Sequence, residues 1–296
     1  MLKTRFLTAC VLLSVFLFVL FASPQLIWAL FATLIALLAA WEWGALMRLC
    51  SSMRIALSFT MLLICLALIM FVPTALGISA DWQENTPAFF RSAWQFGRWL
   101  YVPALIFWLI LAPLWIIKRW SLQALPPVAA LAVGFLLILP TWLALIQLRR
   151  AGALELLIIM SFVWLADIAA YFSGRRFGKH KLAPSISPGK TQEGAFGAIC
   201  CVCVYGLFFL PKLSLSLPSL TAFNQALVLF SFLLLLVFLT ALSIFGDLFE
   251  SLLKRQVNIK DSSRLLPGHG GILDRIDSLT STLPLVALLW LLSRIA

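Results

Sequence analysis

Two stretches hold most of the residues capable of chemistry, and the later one is the richer. It passes from Gly246 and Asp247 through Glu250, Ser251, Lys254 and Arg255 to Lys260 and Asp261. It then turns through Pro267, Gly268, His269, Gly270 and Gly271 and ends on Asp274, Arg275 and Asp277. Asp274 and Asp277 stand three apart, and Asp247 and Glu250 repeat that spacing, so each pair shares a face if the chain is helical there. Carboxylates this close repel unless a cation sits between them or a proton is shared. Oxygen ligands without His or Cys beside them favour Mg2+ over zinc. Lys254, Arg255, Lys260 and Arg275 are suited to phosphate oxygens, and a glycine turn can close its backbone around a ligand.

The earlier stretch has Asp167 and Tyr171 four apart, then Gly174, Arg175, Gly178, Lys179 and His180, then Ser187, Pro188, Gly189, Lys190, Thr191 and Glu193. Gly189, Lys190 and Thr191 imitate the end of a P-loop. The glycine that motif needs five residues earlier is Pro184, and no strand precedes it, so the P-loop reading fails. Arg175 to Lys181 taken alone also fits an ordinary cytoplasmic anchor. Together the two stretches offer bases for anions, carboxylates for magnesium and glycine turns. That is the equipment of phosphoryl or nucleotidyl transfer, where positioning and charge neutralisation do most of the catalysis.

The elements that must position these residues are membrane helices. The chain is 63% hydrophobic and 11% charged, against about 25% charged in soluble domains. About 20 apolar residues cross the hydrocarbon, and nine stretches qualify: 6–22, 24–46, 55–76, 100–117, 124–148, 153–172, 195–210, 226–245 and 279–295. The expected fold is all-α and polytopic. Lys3 and Arg5 precede the first stretch, which is long for a signal core and lacks a clear cleavage site. With the N-terminus cytoplasmic, the loops holding Arg48 and Arg54, Lys118 and Arg119, and both charged stretches face inward. Opposite loops hold Arg91 and Arg98 with Asp81 and Glu84, and Lys212. Only Arg149 and Arg150 break the pattern.

The chain divides near residue 150. Residues 1–150 are N-terminal helices; residues 151–296 are a C-terminal catalytic region with cytosolic loops at 173–194 and 246–278. Seven of the eleven acidic residues lie between Asp167 and Asp277, and ten of the 22 basic residues lie in the two loops. Charge concentrated at the edge of a membrane points to function. The net charge of +11 is explained by loop orientation and anionic ligands, and nucleic acid is excluded as a partner because no charged, aromatic-interleaved stripe lies outside the membrane. The six cysteines lie in or beside apolar runs, and although Cys200 and Cys203 have CxxC spacing, no further ligand stands near them, which argues against a disulfide framework or structural zinc site. The twelve tryptophans fit interfacial belts in part.

Both stretches resemble the phosphatidate cytidylyltransferase (CDP-diacylglycerol synthase) family. The later pattern is Ser251, Lys254, Arg255, Lys260, Asp261, Pro267 to Gly271, Asp274, Arg275 and Asp277. The earlier is Asp167, Tyr171, Gly174, Arg175, Gly178, Lys179, Ser187, Pro188, Lys190 and Thr191. The likeness covers roughly residues 160–280. It implies a magnesium-dependent enzyme of membrane helices, thought to dimerise, that makes CDP-diacylglycerol and pyrophosphate from phosphatidic acid and CTP. Size and compactness place it in a bacterial inner membrane.

On that reading Asp247, Asp274 and Asp277 are expected to hold Mg2+. The catalytic set is completed by Lys254, Arg255, Asp261 and Arg275, with Asp261 either a ligand or a support. Arg175, Lys179, Ser187, Lys190, Thr191, Ser251, Lys260, His269, Gly270 and Gly271 are expected at the substrates. His269 either protonates the leaving group or makes a backbone contact. Two other readings share some of these parts. A CTP-dependent lipid kinase would release CDP rather than pyrophosphate. A transporter would use Asp167 and Asp247 as a cation path, but it would carry broken helices in both halves.

Overall fold

The computed structural model describes residues 2–78, 87–214, 222–266 and 268–295. Asp81, Glu84 and Pro267 lie outside the described residues, as do the side chains of Lys3, Arg5 and Lys212. The chain forms α1 (Leu2–Ala22), α2 (Gln25–Leu46), α3 (Ser51–Phe71), α4 (Pro87–Ile106), α5 (Ala112–Lys118), α6 (Pro127–Arg149), α7 (Ala153–Phe177), α8 (Gln192–Ser214), α9 (Ala222–Gln256) and α10 (Leu273–Ile295). Among the described residues eight helical stretches are long and apolar enough to cross a membrane, and Thr8–Ala22 is a shorter apolar helix. Helix is what lipid demands, since each backbone donor and acceptor must be paired within the segment.

Two helices form the centre. The whole run from Pro140 to Leu148 of α6 is buried, and α10 packs against α4, α6 and α9. α2 buries a stripe of alanines (Ala29, Ala32, Ala36, Ala39 and Ala40), and small residues let neighbouring backbones approach without a hydrophobic drive. Not all tryptophans sit in belts. Trp28 donates to the Leu145 carbonyl at 2.9 Å, Trp43 to Ala130 at 3.0 Å and Trp142 to Thr33 Oγ1 at 3.0 Å. These three indoles tie α2 to α6. α7, α8 and α9 instead present Ile168, Phe172, Phe196, Phe208 and Phe230 to their surroundings, as lipid-facing helices should.

Arg149, one of the two residues that broke the charge pattern, has a structural role. Its guanidinium donates to the Leu20 carbonyl at 2.9 Å, to Gln25 Oε1 at 3.1 Å and to the Ser23 carbonyl. It therefore satisfies acceptors at the end of α1 that helix geometry leaves open. The expected 100–117 span is continuous helix from Pro87 to Lys118. Pro103 interrupts the bonding inside it, and a wide turn at Phe107–Leu111 follows. Phe107, Trp108 and Trp115 stack edge-on against Phe249 of α9 at 5.4–5.6 Å.

Both charged stretches are less loop-like than expected. α7 continues to Phe177, α9 continues to Gln256 and α10 begins at Leu273, so the chain leaves helix only at 178–191 and 257–272. The first gap is a short antiparallel hairpin, β1 (Lys181–Ala183) and β2 (Ser187–Thr191), with Lys181 opposite Thr191. Periodicity could not show this hairpin, because its strands are polar and only three and five residues long. In the last turns of α9, Glu250 and Lys254 pair at helical spacing.

Candidate active site

The last turns of α9 place Asp247, Glu250, Ser251 and Lys254 along one stripe. The first turns of α10 carry Asp274 and Asp277 beside it. Gly246 permits this approach, since a Cβ there would stand 2.7 Å from both the Asp277 carbonyl and Ser281 Oγ. Ser281 also donates to the Leu242 carbonyl at 2.8 Å, and Ser278 to the Ser243 carbonyl at 3.2 Å.

Lys254 lies buried between the two helices. Its Nζ is 2.5 Å from Glu250 Oε2 and 2.5 Å from Asp274 Oδ1. The sequence marked it as a phosphate ligand; in the fold its ammonium lies between two carboxylates. Asp274 is also saturated on its other oxygen. Its Oδ2 accepts the Ser262 N–H at 2.8 Å, the Gly271 N–H at 2.8 Å and the Ser262 hydroxyl at 2.9 Å. The remaining oxygen of Glu250, Oε1, is buried without a partner.

A second group of carboxylates lies alongside. Asp277 is within electrostatic reach of Asp247 and of Asp167 on α7. Asp247 accepts the Ser251 hydroxyl at 3.2 Å and pairs with Lys190 Nζ at 2.6 Å. Lys190 is thus the cation through which the hairpin reaches the cluster. Among the described residues no three of His, Cys, Asp and Glu converge closely enough to hold a metal ion. The expected trio of Asp247, Asp274 and Asp277 is split, because Asp274 is turned to Lys254 and the 262–271 backbone. The donor chemistry still suits a hard divalent cation. Asp167, Asp247 and Asp277, on three helices, act electrostatically on one another, and Glu250 Oε1 is buried with no hydrogen-bond partner.

The glycine turn holds itself in place. Arg275 donates twice to the His269 carbonyl, at 3.0 and 2.7 Å, and the His269 N–H donates to the Leu266 carbonyl at 2.8 Å. Gly270 has a φ of 81°, which favours glycine. A Cβ on Gly271 would lie 2.0 Å from Ser262 Oγ and 2.5 Å from Glu42 Oε1. Gly270 and Gly271 therefore have a packing reason as well as the expected one at a substrate.

Glu42 is the residue that sequence reasoning missed. It sits on α2, fully buried, more than two hundred residues from its partners. Oε2 accepts the Leu273 N–H at 2.6 Å and the Ser262 hydroxyl at 3.0 Å; Oε1 accepts the Ile272 N–H at 2.9 Å and the Ser263 hydroxyl at 2.6 Å. A carboxylate at the start of α10 satisfies donors that the helix leaves open and meets the positive end of its dipole. It thereby fixes the turn that carries Asp274 and Asp277. The available signal was a lone acid inside an apolar span. Glu42→Gln puts an NH2 group against these donors and should destabilise the protein by about 1–3 kcal/mol. Thermal unfolding in detergent measures that loss, and faster tryptic cleavage after the exposed Arg264 reports the loosened segment.

The other expected residues are placed as follows. Thr191 is buried and accepts the Gly194 N–H at 3.1 Å, so it caps α8. Glu193 in the first turn of α8 accepts the His180 N–H at 3.1 Å and lies 2.7 Å from His180 Nδ1. Arg175 donates to Tyr171 Oη at 3.4 Å and is exposed, as is Lys179. Ser187 is half-buried on β2. Arg255 donates to the carbonyls of Ile186 and Ile259, at 3.4 and 3.1 Å. Lys260 and Asp261 are exposed in the 257–272 segment.

Comparison with known proteins shows the family. The model of the cytidylyltransferase family matches residues 3–293. A Pseudomonas aeruginosa protein named phosphatidate cytidylyltransferase is 37% identical over 305 residues, covering 98% of this chain and 97% of its own. A Haemophilus influenzae protein of the same name is 35% identical over 301 residues, covering 96% of each chain. A third, from Staphylococcus haemolyticus, is 37% identical over 295 residues, covering 97% of this chain and 98% of its own.

Proposed function

The chain belongs to the cytidylyltransferase family, and from that premise we infer that it transfers CMP from CTP to phosphatidic acid, giving CDP-diacylglycerol and pyrophosphate for phospholipid synthesis. It is an integral membrane transferase. The match along nearly the whole length carries this reading.

The phosphate oxygen of phosphatidic acid attacks the α-phosphorus of CTP, a new P–O bond forms, and pyrophosphate leaves with the electrons of the broken bond. The nucleophile is already an anion, so the obstacle is the approach of like charges. Lys190 and Arg275 stand at the edge of the carboxylate cluster and are suited to the approaching phosphates. Lys254 keeps Glu250 and Asp274 paired, which holds α9 and α10 in register beneath the reacting groups. Asp247 and Asp277, with Asp167 near, are the residues that would hold Mg2+. When bound, that ion supplies charge neutralisation for the leaving pyrophosphate.

A lipid tail has a place to go. An apolar cavity of about 630 Å3 lies among α7, α9 and α10, and Ala166, Ser243 and Thr282 are among its lining residues. Ala166 adjoins Asp167, and Ser243 is one turn before Asp247. Val286→Phe narrows this cavity. It should reduce turnover of long-chain phosphatidic acid roughly tenfold and leave an eight-carbon analogue unchanged; equal loss on both would remove the cavity from tail binding.

Relatives from bacteria support a bacterial inner membrane, and the charge distribution of the loops supports a cytosolic site. A His180→Cys variant should accept a membrane-impermeant thiol reagent only from the cytosolic side. Labelling in intact cells from outside would reverse that orientation. A homodimer is proposed on the family resemblance alone.

The direct test follows label from CTP marked at the α-phosphate. Its Mg2+-dependent arrival in the lipid with release of pyrophosphate is the expected result. Label left in CDP, with phosphate moved to lipid, would make the protein a kinase.

A further inference from the structure

A second cavity, of about 600 Å3, lies between the α2–α3 connection and the 257–264 segment, and Asp167, Asp247, Glu250, Asp274 and Asp277 are not among its lining residues. Its volume falls within the roughly 300–1,000 Å3 range of small-molecule sites. Arg48, Arg54, Lys260 and Arg264 line it, with Asp261 as its acidic residue. None of the four cations forms an ion pair among the described residues.

Two of the cations are held in place. Arg54 stacks over the Trp41 ring at 4.0 Å and its Nε donates to the Trp41 carbonyl at 3.1 Å. Arg48 ends α2 with a φ of 58°, locked by the Leu49 N–H donating to the Gly44 carbonyl at 2.9 Å. Its guanidinium donates to the Gln256 carbonyl at 3.2 Å. Each arginine has five N–H donors, so both keep donors uncommitted.

The wall facing the cluster is Ser262 and Ser263, and behind it stands Glu42. Glu42 acts electrostatically on Arg54, but its oxygens are taken up by the four hydrogen bonds described above. Four like charges around one space, two of them held by packing, raise a positive potential that an anion relieves. Guanidinium and ammonium groups together recognise phosphate oxygens through charge-assisted hydrogen bonds.

We propose that this cavity binds a phosphate-bearing anion at a site separate from the carboxylate cluster. The shared chemistry admits two sources: the outer phosphates of CTP, or a phospholipid head group at the cytosolic edge. The CTP source rests on the function proposed above; the lipid source does not.

The test uses the full-length protein in nanodiscs, either of phosphatidylcholine alone or with phosphatidylglycerol added, comparing wild type with an Arg48→Gln/Arg264→Gln double variant. Retained kcat at saturating CTP shows that the transferase reading stands whatever happens at this cavity. If CTP phosphates bind here, KM for CTP rises about tenfold, the effect of losing one or two charged hydrogen bonds, and inorganic pyrophosphate no longer raises the unfolding temperature. If a head group binds here, KM for CTP is unchanged and the difference between the two nanodisc compositions disappears in the variant. Wild-type KM, an unaltered pyrophosphate shift and an unaltered lipid response together overturn the proposal, leaving these cations as positive-inside anchors. Should the double variant fail to fold, Arg264→Gln alone, in the exposed segment, is read by the same three measurements.

Discussion

An Asp277→Asn variant is expected to lose CMP transfer by roughly 100- to 1,000-fold, the scale set by removing one preorganised electrostatic group from an active site. Asparagine keeps the shape of the side chain and removes its charge. Asp277 stands in reach of both Asp247 and Asp167, so neutralising it relieves repulsion in the folded state. Stability should therefore hold or rise while kcat falls. Steady-state assay and thermal unfolding of the same preparation separate the two effects. A folded variant with near-wild-type turnover would remove Asp277 from the catalytic centre. Parallel loss of activity and stability would make its role structural.

The second large effect is on folding. Lys254→Met leaves Glu250 and Asp274 facing each other without the ammonium that bridges them at 2.5 Å on each side. The three side chains are 10%, 6% and 7% exposed. Breaking a buried pair by removing one partner costs about 3–5 kcal/mol, because the charge left behind is uncompensated. Replacing the whole set by neutral groups is commonly near neutral. The Lys254→Met/Glu250→Gln/Asp274→Asn triple variant should therefore regain most of the stability lost by the single variant. Unfolding in detergent measures both. A single variant as stable as wild type would show that Lys254 does not bridge the two acids.

Lys254 also shows how the two levels of description differ. In sequence it is one of several bases near glycines and carboxylates, and all look equally able to hold phosphate. Only the apposition of α9 and α10 shows that Lys254 is occupied by acids, while Lys190, from a hairpin some sixty residues earlier, reaches Asp247. Asp274 and Asp277 share a motif and a spacing, yet one is saturated by backbone donors and the other faces further carboxylates. Thr191, expected at a substrate, is seen to cap α8.

Composition by itself determined the solvent, since a chain with this little charge can bury its backbone only in lipid. The order of acids at helical intervals, bases and glycine turns carried the resemblance to the family. Those properties are local, and 3.6 residues per turn transmits them along a helix. The sequence did not determine which helix faces which. α2, α6 and α7 are apolar nearly all round, so no polar face orients them. Small-residue stripes and buried indoles settle their packing in three dimensions. Tertiary structure therefore decided that Glu42 of α2 fixes the start of α10, that Arg48 and Arg54 share a cavity with Lys260 and Arg264, and that the N-terminal half is part of the site's framework.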